Sequence, residues 1–528
     1  MTTRRRFLQG IAATGAWSLL GQRSVGASTL ARGAPSIPSA ATTTASLPDP
    51  STAPFDHVVV LMFENRSFDH LLGWLPGSDG RQSGLQFTDQ TGAVYPTYAL
   101  APDTQGCGYL DPDHSWEGFV AQFNGGALDG WLKTPANRDT SDTFPIGYYG
   151  AGDVPVIGAL ARSYTTLDRY FASFMGETFP NRFYQHAART DRDHNMGIDQ
   201  TTLGPTIWDS LAAKGLSGGY YFVDEPFLAL WGAKYASIMH PVADFVAQAA
   251  TGTLPNVSFV DPSFANEDQG QSGDYHPHGD IRAGESFLSL IYHAVRNSPA
   301  WDKTVLVVNF DEWGGFFDHV HPPQVVDDTV KAEKTPAGAP VPDYTQLGFR
   351  VPCIVASPWS AQQVYNDGPF EHTSVLNMIE WRWGLPALTA RDANAKNLAE
   401  TLDFSSPRTD TPDIPVTAGF ASQVCSIAST PKRSPAPLDL GNAAGSTGSA
   451  GSTGAAVLAA SATSASSGSV LPATGAREPL LAVAALVGGG MAIRAAHRRA
   501  VERAAADAEP VSKTQTAVVA EAVAGEDA

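Results

Sequence analysis

Two apolar runs without alternation stand out along the chain, and each ends abruptly in acid. The first is His57-Val58-Val59-Val60-Leu61-Met62-Phe63, followed by Glu64-Asn65-Arg66-Ser67-Phe68-Asp69-His70. The second is Thr304-Val305-Leu306-Val307-Val308-Asn309-Phe310, followed by Asp311-Glu312-Trp313-Gly314-Gly315-Phe316-Phe317-Asp318-His319. Continuous β-branched runs predict strands buried on both faces, as in parallel sheets. Asn256 to Val260, closing in Asp261-Pro262, and Val351 to Ser357 predict further strands. Phe287, Leu288, Ile291 and Val295 fall near helical spacing, so Gly284 to Asn297 predicts a helix packed on the sheet. Ile157-Gly158-Ala159-Leu160-Ala161 predicts a second helix and Phe183 to Arg189 a third. Val375 to Trp383 predicts a fourth, capped by His372 or Thr373. Strands alternating with helices predict an α/β fold: a mainly parallel central sheet with helices on both faces.

In open α/β sheets, ligands bind just outside the carboxyl ends of the strands. Glu64, Asn65, Asp311 and Glu312 are therefore expected at one rim. Three carboxylates gathered there repel one another unless a cation lies among them, and oxygen-only donors suit one hard divalent ion. These donors do not distinguish Ca²⁺, Mn²⁺, Mg²⁺ and Zn²⁺. A hydroxyl stands in Gly176-Glu177-Thr178-Phe179-Pro180-Asn181-Arg182, just before a predicted helix. Thr178 has two readings. It is an N-cap, or a nucleophile and metal ligand whose phosphorylated form is stabilised by helix N–H groups and the ion. Arg182 either clamps a phosphate oxygen or forms an ion pair that supports the rim. A leaving alkoxide needs a proton, and histidine is the usual donor near neutral pH. The candidates are His114, His276, His319 and His372, with His70 and His278 ranked below them. Asp69 and Asp318 are expected to orient a histidine rather than bind metal.

Composition narrows the picture. The chain has 528 residues, a formal net charge of −19, 43 % hydrophobic residues and 11 Trp, enough for one large core plus accessory segments. The acidic balance argues against a nucleic-acid partner. The 50 Gly and 38 Pro fit long loops decorating a sheet. Three Cys make no disulfide framework. Cys353 reads as a buried strand thiol, and a Cys107–Cys425 bridge is left open.

Both ends read as addresses. Thr3-Arg4-Arg5-Arg6-Phe7-Leu8-Gln9 and the apolar stretch after it resemble a twin-arginine export signal, residues 1–27. Residues 28–52 form a flexible lead-in, 53–430 the catalytic domain and 431–470 a Gly/Ala/Ser/Thr linker. Leu471-Pro472-Ala473-Thr474-Gly475, the apolar stretch Pro479 to Ile493 and the basic cluster ending at Arg499 resemble an LPXTG-type sortase sorting signal. An acidic, Ala-rich tail, 500–528, runs on past the point where such signals end, which keeps a transmembrane anchor as the alternative. Either way the catalytic domain is expected outside the cell and held at its surface, with the export machinery and sortase as partners during maturation.

Glu64-Asn65-Arg66-Ser67-Phe68-Asp69-His70, Gly176 to Arg182, Asp311 to Val320 and Glu371-His372-Thr373-Ser374 together resemble the bacterial phospholipase C and acid phosphatase family of phosphoesterases. The resemblance spans about residues 55 to 405 and implies an alkaline-phosphatase-like α/β fold. It implies metal ligands at Glu64, Asn65, Asp311 and Glu312 and a nucleophile at Thr178. Threonine rather than serine there favours phospholipase C over acid phosphatase. Two positions depart from the family pattern: Glu177 stands for the usual Pro and Trp313 for the usual His. The expected activity is hydrolysis of a phospholipid, met transiently at a membrane surface, to diacylglycerol and a phosphorylated head group through a phospho-threonine. The alternatives are an acid phosphatase acting on soluble monoesters and, third, an inactive surface-binding protein. Trp116, Trp131, Tyr148 and Tyr149 are aromatics available for a cationic head group.

Overall fold

The computed structural model describes residues 47–138, 142–195, 200–335, 338–417, 419–425 and 434–438. The export signal, the sorting signal and the acidic tail lie outside the described residues, as do most of the lead-in and linker. Eight strands form the central sheet. In chain order they are β1 (His57–Phe63), β2 (Thr165–Leu167), β3 (Gly218–Phe222), β4 (Met239–Pro241), β5 (Val257–Asp261), β6 (Thr304–Phe310), β7 (Cys353–Ala356) and β8 (Gln363–Tyr365). Their spatial order is β8-β2-β7-β6-β1-β5-β3-β4. All neighbours pair parallel except β7, which runs antiparallel to both β6 and β2. The sheet is therefore mainly parallel, as the unalternating apolar runs predict. β6 is buried along its whole length and β1 at every residue after His57, so both strands lose solvent on both faces.

The described helices are α1 (Phe68–Leu72), α2 (Trp116–Phe123), α3 (Pro155–Ser163), α4 (Thr178–Ala187), α5 (Ile207–Ala213), α6 (Val242–Thr251), α7 (Ile281–Arg296), α8 (His372–Trp383) and α9 (Ala390–Asn394). They pack in two groups around the sheet. α7 lies against α3 and α6, while α8 lies against α4 and α9. Two expected helix starts move. α4 begins at Thr178, five residues before the apolar pattern suggests, because Glu177 takes the cap position in extended backbone. α8 is capped by Glu371, whose carboxylate accepts from Thr373 N at 2.9 Å, so neither His372 nor Thr373 is the cap. Cys107 and Cys425 form a disulfide, and Cys353 is a buried free thiol on β7. No described helix is long and apolar enough to cross a membrane.

Candidate active site

Parallel register builds the rim. β1 and β6 pair residue for residue from His57–Thr304 to Phe63–Phe310, so the two acidic segments leave the sheet side by side. Backbone bonds continue the pairing past the strands: Asp311 N donates to Phe63 O at 3.0 Å and Arg66 N to Glu312 O at 3.0 Å. Asp311 Oδ1 accepts from Asn65 N at 3.2 Å and Glu312 N at 2.7 Å. Asn65 Nδ2 donates to Glu312 Oε1 at 2.5 Å. Asn65 holds a left-handed backbone with φ 59°. Gly314 makes that turn possible, since a Cβ there would lie 2.0 Å from Asn65 O. Glu64, Asn65, Asp311 and Glu312 are all buried, as expected of one rim.

α4 adds the hydroxyl. Thr178 is the first helical residue and is 8 % exposed, with Glu177 as the cap. The N-cap reading of Thr178 is therefore corrected. Asn181 pins the approach: its amide accepts from Phe174 N at 2.8 Å and donates to Gly176 O at 2.8 Å. Arg182 follows Thr178 by four residues and shares its helix face. Its guanidinium meets Glu64 Oε1 at 3.3 Å, Asp261 Oδ1 at 3.1 Å and Asp311 Oδ2 at 3.2 Å. Three carboxylates hold it, so Arg182 is the rim's internal counter-ion and not a free phosphate clamp. Asp261 was legible only as the end of a strand. The structure makes it a site residue, held also by the Tyr220 hydroxyl.

His114 faces this assembly, and His276 shares Asp111 with it. Gly315, with φ 71°, lets the Pro112–Asp113 backbone come close, since a Cβ there would lie 2.7 Å from Pro112 C. His114 Nδ1 donates to Pro112 O at 2.8 Å, which leaves Nε2 free. Burial alone would lower its pKa. The charges of Glu312, Asp111 and Glu177 outweigh burial and push it up to about 10. His276 Nε2 lies 3.5 Å from Asp111 Oδ2. Burial opposes its charge too, but Asp111, Glu267 and Asp274 raise it to about 9. Arg66 fixes the His276 loop by donating to Tyr275 O at 2.6 Å and His276 O at 3.2 Å. Sequence reasoning gave Arg66 no role, although its place in the first acidic motif was visible.

The other two histidines sit elsewhere. His319 is held between Asp69 Oδ2 at 2.5 Å and Asp79 Oδ1 at 3.1 Å, neither of them a rim residue. His372 is wholly buried, with Nδ1 2.9 Å from Ser173 Oγ and Nε2 3.0 Å from Phe310 O. Burial lowers its pKa to about 4, so it is neutral at pH 7. Of the four candidate donors, His319 and His372 thus have both ring nitrogens engaged by partners outside the rim carboxylates. Trp313 is also buried and donates to Gln122 Oε1 at 2.9 Å, anchoring α2 over the rim. Of the aromatics offered for a head group, Trp131 and Tyr149 are fully buried.

The rim's electrostatics call for more positive charge than Arg182 supplies. Burial pushes Glu312 up to about 8, with Asp311 adding and His114 opposing. Burial, Glu267 and Asp311 raise Glu64 well above the carboxylate range against Arg182. Asn65 Nδ2 is spent on Glu312, and its Oδ1 is buried with no hydrogen-bond partner. An orphaned amide oxygen beside two carboxylates fits a hard cation.

The phosphoesterase family profile matches residues 55–386. Phospholipase C B of Mycobacterium tuberculosis is 32% identical over 421 residues, covering 67% of this chain and 78% of its own. Non-specific phospholipase C6 of Arabidopsis thaliana is 31% identical over 402 residues, covering 68% and 74%. Among solved structures, an alkaline phosphatase superfamily protein from Vibrio parahaemolyticus covers 66% of this chain and 71% of its own at 10% identity and a TM-score of 0.34. That likeness is too slight to carry an argument, and the fold rests on the sheet described above. The two strand-end motifs, the Thr178 segment and the matched span together place this chain in the phosphoesterase family, as a hydrolase of phosphate esters.

Proposed function

We propose that this chain is a phospholipase C that splits a phospholipid into diacylglycerol and a phosphorylated head group through a phospho-threonine. One observation carries the reading: Thr178 opens α4 on the same face as Arg182, which is locked to Glu64, Asp261 and Asp311. The phospholipase C names of its relatives support the substrate class. Glu64, Asn65, Asp311 and Glu312, with Thr178, would hold a divalent ion. When bound, such an ion supplies polarisation of the phosphoryl oxygens and a lowered hydroxyl pKa.

Thr178 gives its hydroxyl proton to solvent, Oγ1 attacks phosphorus, and the bond to the glycerol oxygen breaks. His114, charged at neutral pH with Nε2 free, donates a proton to the leaving alkoxide. His114, now neutral, takes a proton from the water that attacks phosphorus, the bond to Thr178 Oγ1 breaks, and Thr178 takes up a proton from solvent. Arg182 holds Glu64, Asp261 and Asp311 together and keeps α4 in register with the rim. A head-group panel of phospholipid micelles and soluble aryl phosphates, assayed on the purified chain, tests the reading. Diester cleavage releasing diacylglycerol is expected. Activity confined to the soluble monoesters would instead make the chain an acid phosphatase.

The chain is further proposed to work outside the cell, exported by the twin-arginine route and held at the wall. The Cys107–Cys425 disulfide supports an oxidising compartment. Cell fractionation checks this: Arg4→Lys paired with Arg5→Lys is expected to retain the protein in the cytoplasm. A surface form unchanged in mass by Thr474→Ala, which blocks the sorting pentapeptide, would favour the membrane anchor.

A further inference from the structure

A second acidic group adjoins the rim and shares one residue with it. Glu64 ends β1. Glu267 opens a short turn, Glu267–Gln269, on the loop after β5, and Asp274 lies further along that loop. One carboxylate oxygen from each of the three lies within 4.8 Å of the others. The backbone clamps the group, since Glu64 N donates to Asp274 O at 3.0 Å.

Closeness alone would not make a site. Asp274 supplies the second observation. It is fully buried, and its Oδ1 accepts from Ser272 Oγ at 2.6 Å and His276 N at 2.8 Å. Its Oδ2 is buried and has no hydrogen-bond partner. The neighbouring cations are committed elsewhere. Arg182 reaches Glu64 but is held by Asp261 and Asp311, and His276 turns Nε2 to Asp111. A buried carboxylate oxygen without a partner is unfavourable unless a charge compensates it. Glu267 is only partly buried, which leaves a way in from solvent.

We infer that Glu64, Glu267 and Asp274 form a cation site of their own, taking a hard divalent ion of the Ca²⁺ type. Three carboxylates on an irregular loop suit Ca²⁺, which tolerates uneven geometry and six to eight oxygens, better than the strict octahedron of Mg²⁺. The ion ties the loop after β5 to the end of β1. His276 rides on that loop two residues after Asp274, so the ion also sets where this histidine stands. The site does not depend on the phospholipase reading.

The test is calcium binding by the full chain after chelation, followed by calorimetry and by metal content per chain with Ca²⁺ alone. Wild type is expected to hold one more Ca²⁺ per chain than Glu267→Gln. Asp274→Asn, which keeps the Oδ1 acceptor, is expected to show the same loss, with near-UV circular dichroism confirming that both fold. Glu312→Gln, which alters the rim alone, is expected to keep this ion. Wild-type isotherms and calcium content in both Glu267→Gln and Asp274→Asn would overturn the site. So would a wild-type chain that takes up no Ca²⁺.

Discussion

Two buried arginines, each set among carboxylates at the ends of the central strands, invite comparison. Arg350 Nε meets Asp318 Oδ1 at 2.9 Å, and its NH2 group meets Asp69 Oδ1 at 3.1 Å. Its NH1 group donates to Asp79 O at 2.9 Å and Asp168 O at 3.0 Å. Asp69, Asp318 and His319 come as close together as metal ligands would. Yet no atom of Asp69, Asp318, His319 or Arg350 is among the buried polar atoms without a partner. Around Arg182 the count differs: Asn65 Oδ1 and Asp274 Oδ2 are both orphaned, as is NH2 of Arg182 beyond its ion pair. Proximity of acids is common to both regions, and satisfaction separates them. A closed network holds the fold together, whereas an open one is left with bonds to make.

The largest effect expected is at Thr178. Thr178→Ala should lower kcat/KM for a soluble phosphocholine diester by about ten-thousandfold or more, with little change in the urea midpoint. A kcat within tenfold of wild type would remove Thr178 as the nucleophile. Arg350→Met should do the reverse. It strands two buried carboxylates and should cost about 3–5 kcal/mol of stability by urea unfolding, while the folded fraction keeps its turnover.

The histidines sharpen the contrast further. His114→Ala should cut kcat by about a hundredfold or more, and its pH profile should lose the alkaline limb. His319→Ala should change kcat by less than about threefold, because its partners are Asp69 and Asp79. Equal losses in the two variants would erase the distinction between the regions.

The last effect is a pH dependence at His372, whose pKa falls from the usual 6.5 to about 4 on burial. A depressed histidine is neutral in the folded state while the unfolded chain takes up its proton. Its contribution to stability is therefore full above about pH 6.5 and drains away as pH falls toward 4. The window predicts a loss on the order of 3 kcal/mol from this group. Urea midpoints between pH 7.5 and 4 should fall less steeply in His372→Gln than in wild type. Parallel profiles would mean that His372 is not neutral when folded.

Much of the site was readable because it depends on short sequence distances. Glu64 and Asn65 follow one buried strand directly, and Asp311 and Glu312 follow another, so identifying the strands placed the rim. Asp261, too, stood at a visible strand end, but nothing local said that an arginine from α4 would reach it. The three-residue strands β2, β4 and β8 carry too few residues to show a period. Glu267 sat in a loop without pattern. The Cys107–Cys425 bridge spans 318 residues, and two cysteines that far apart carry no local signal of pairing.

What the chain determined on its own was the central strands and the chemistry they carry: continuous apolar runs that only a covered parallel sheet can bury, and oxygen donors at their ends. Tertiary structure alone decided which charges were answered. The residue-for-residue register of β1 and β6 laid the two acidic segments side by side, α4 brought Arg182 among them, and loop packing sent His114 and His276 inward. The same packing spent His319 and His372 elsewhere. Those outcomes turn on distances of a few ångströms between residues far apart in the chain, where electrostatic and hydrogen-bond energies are set by burial and geometry that no local pattern encodes.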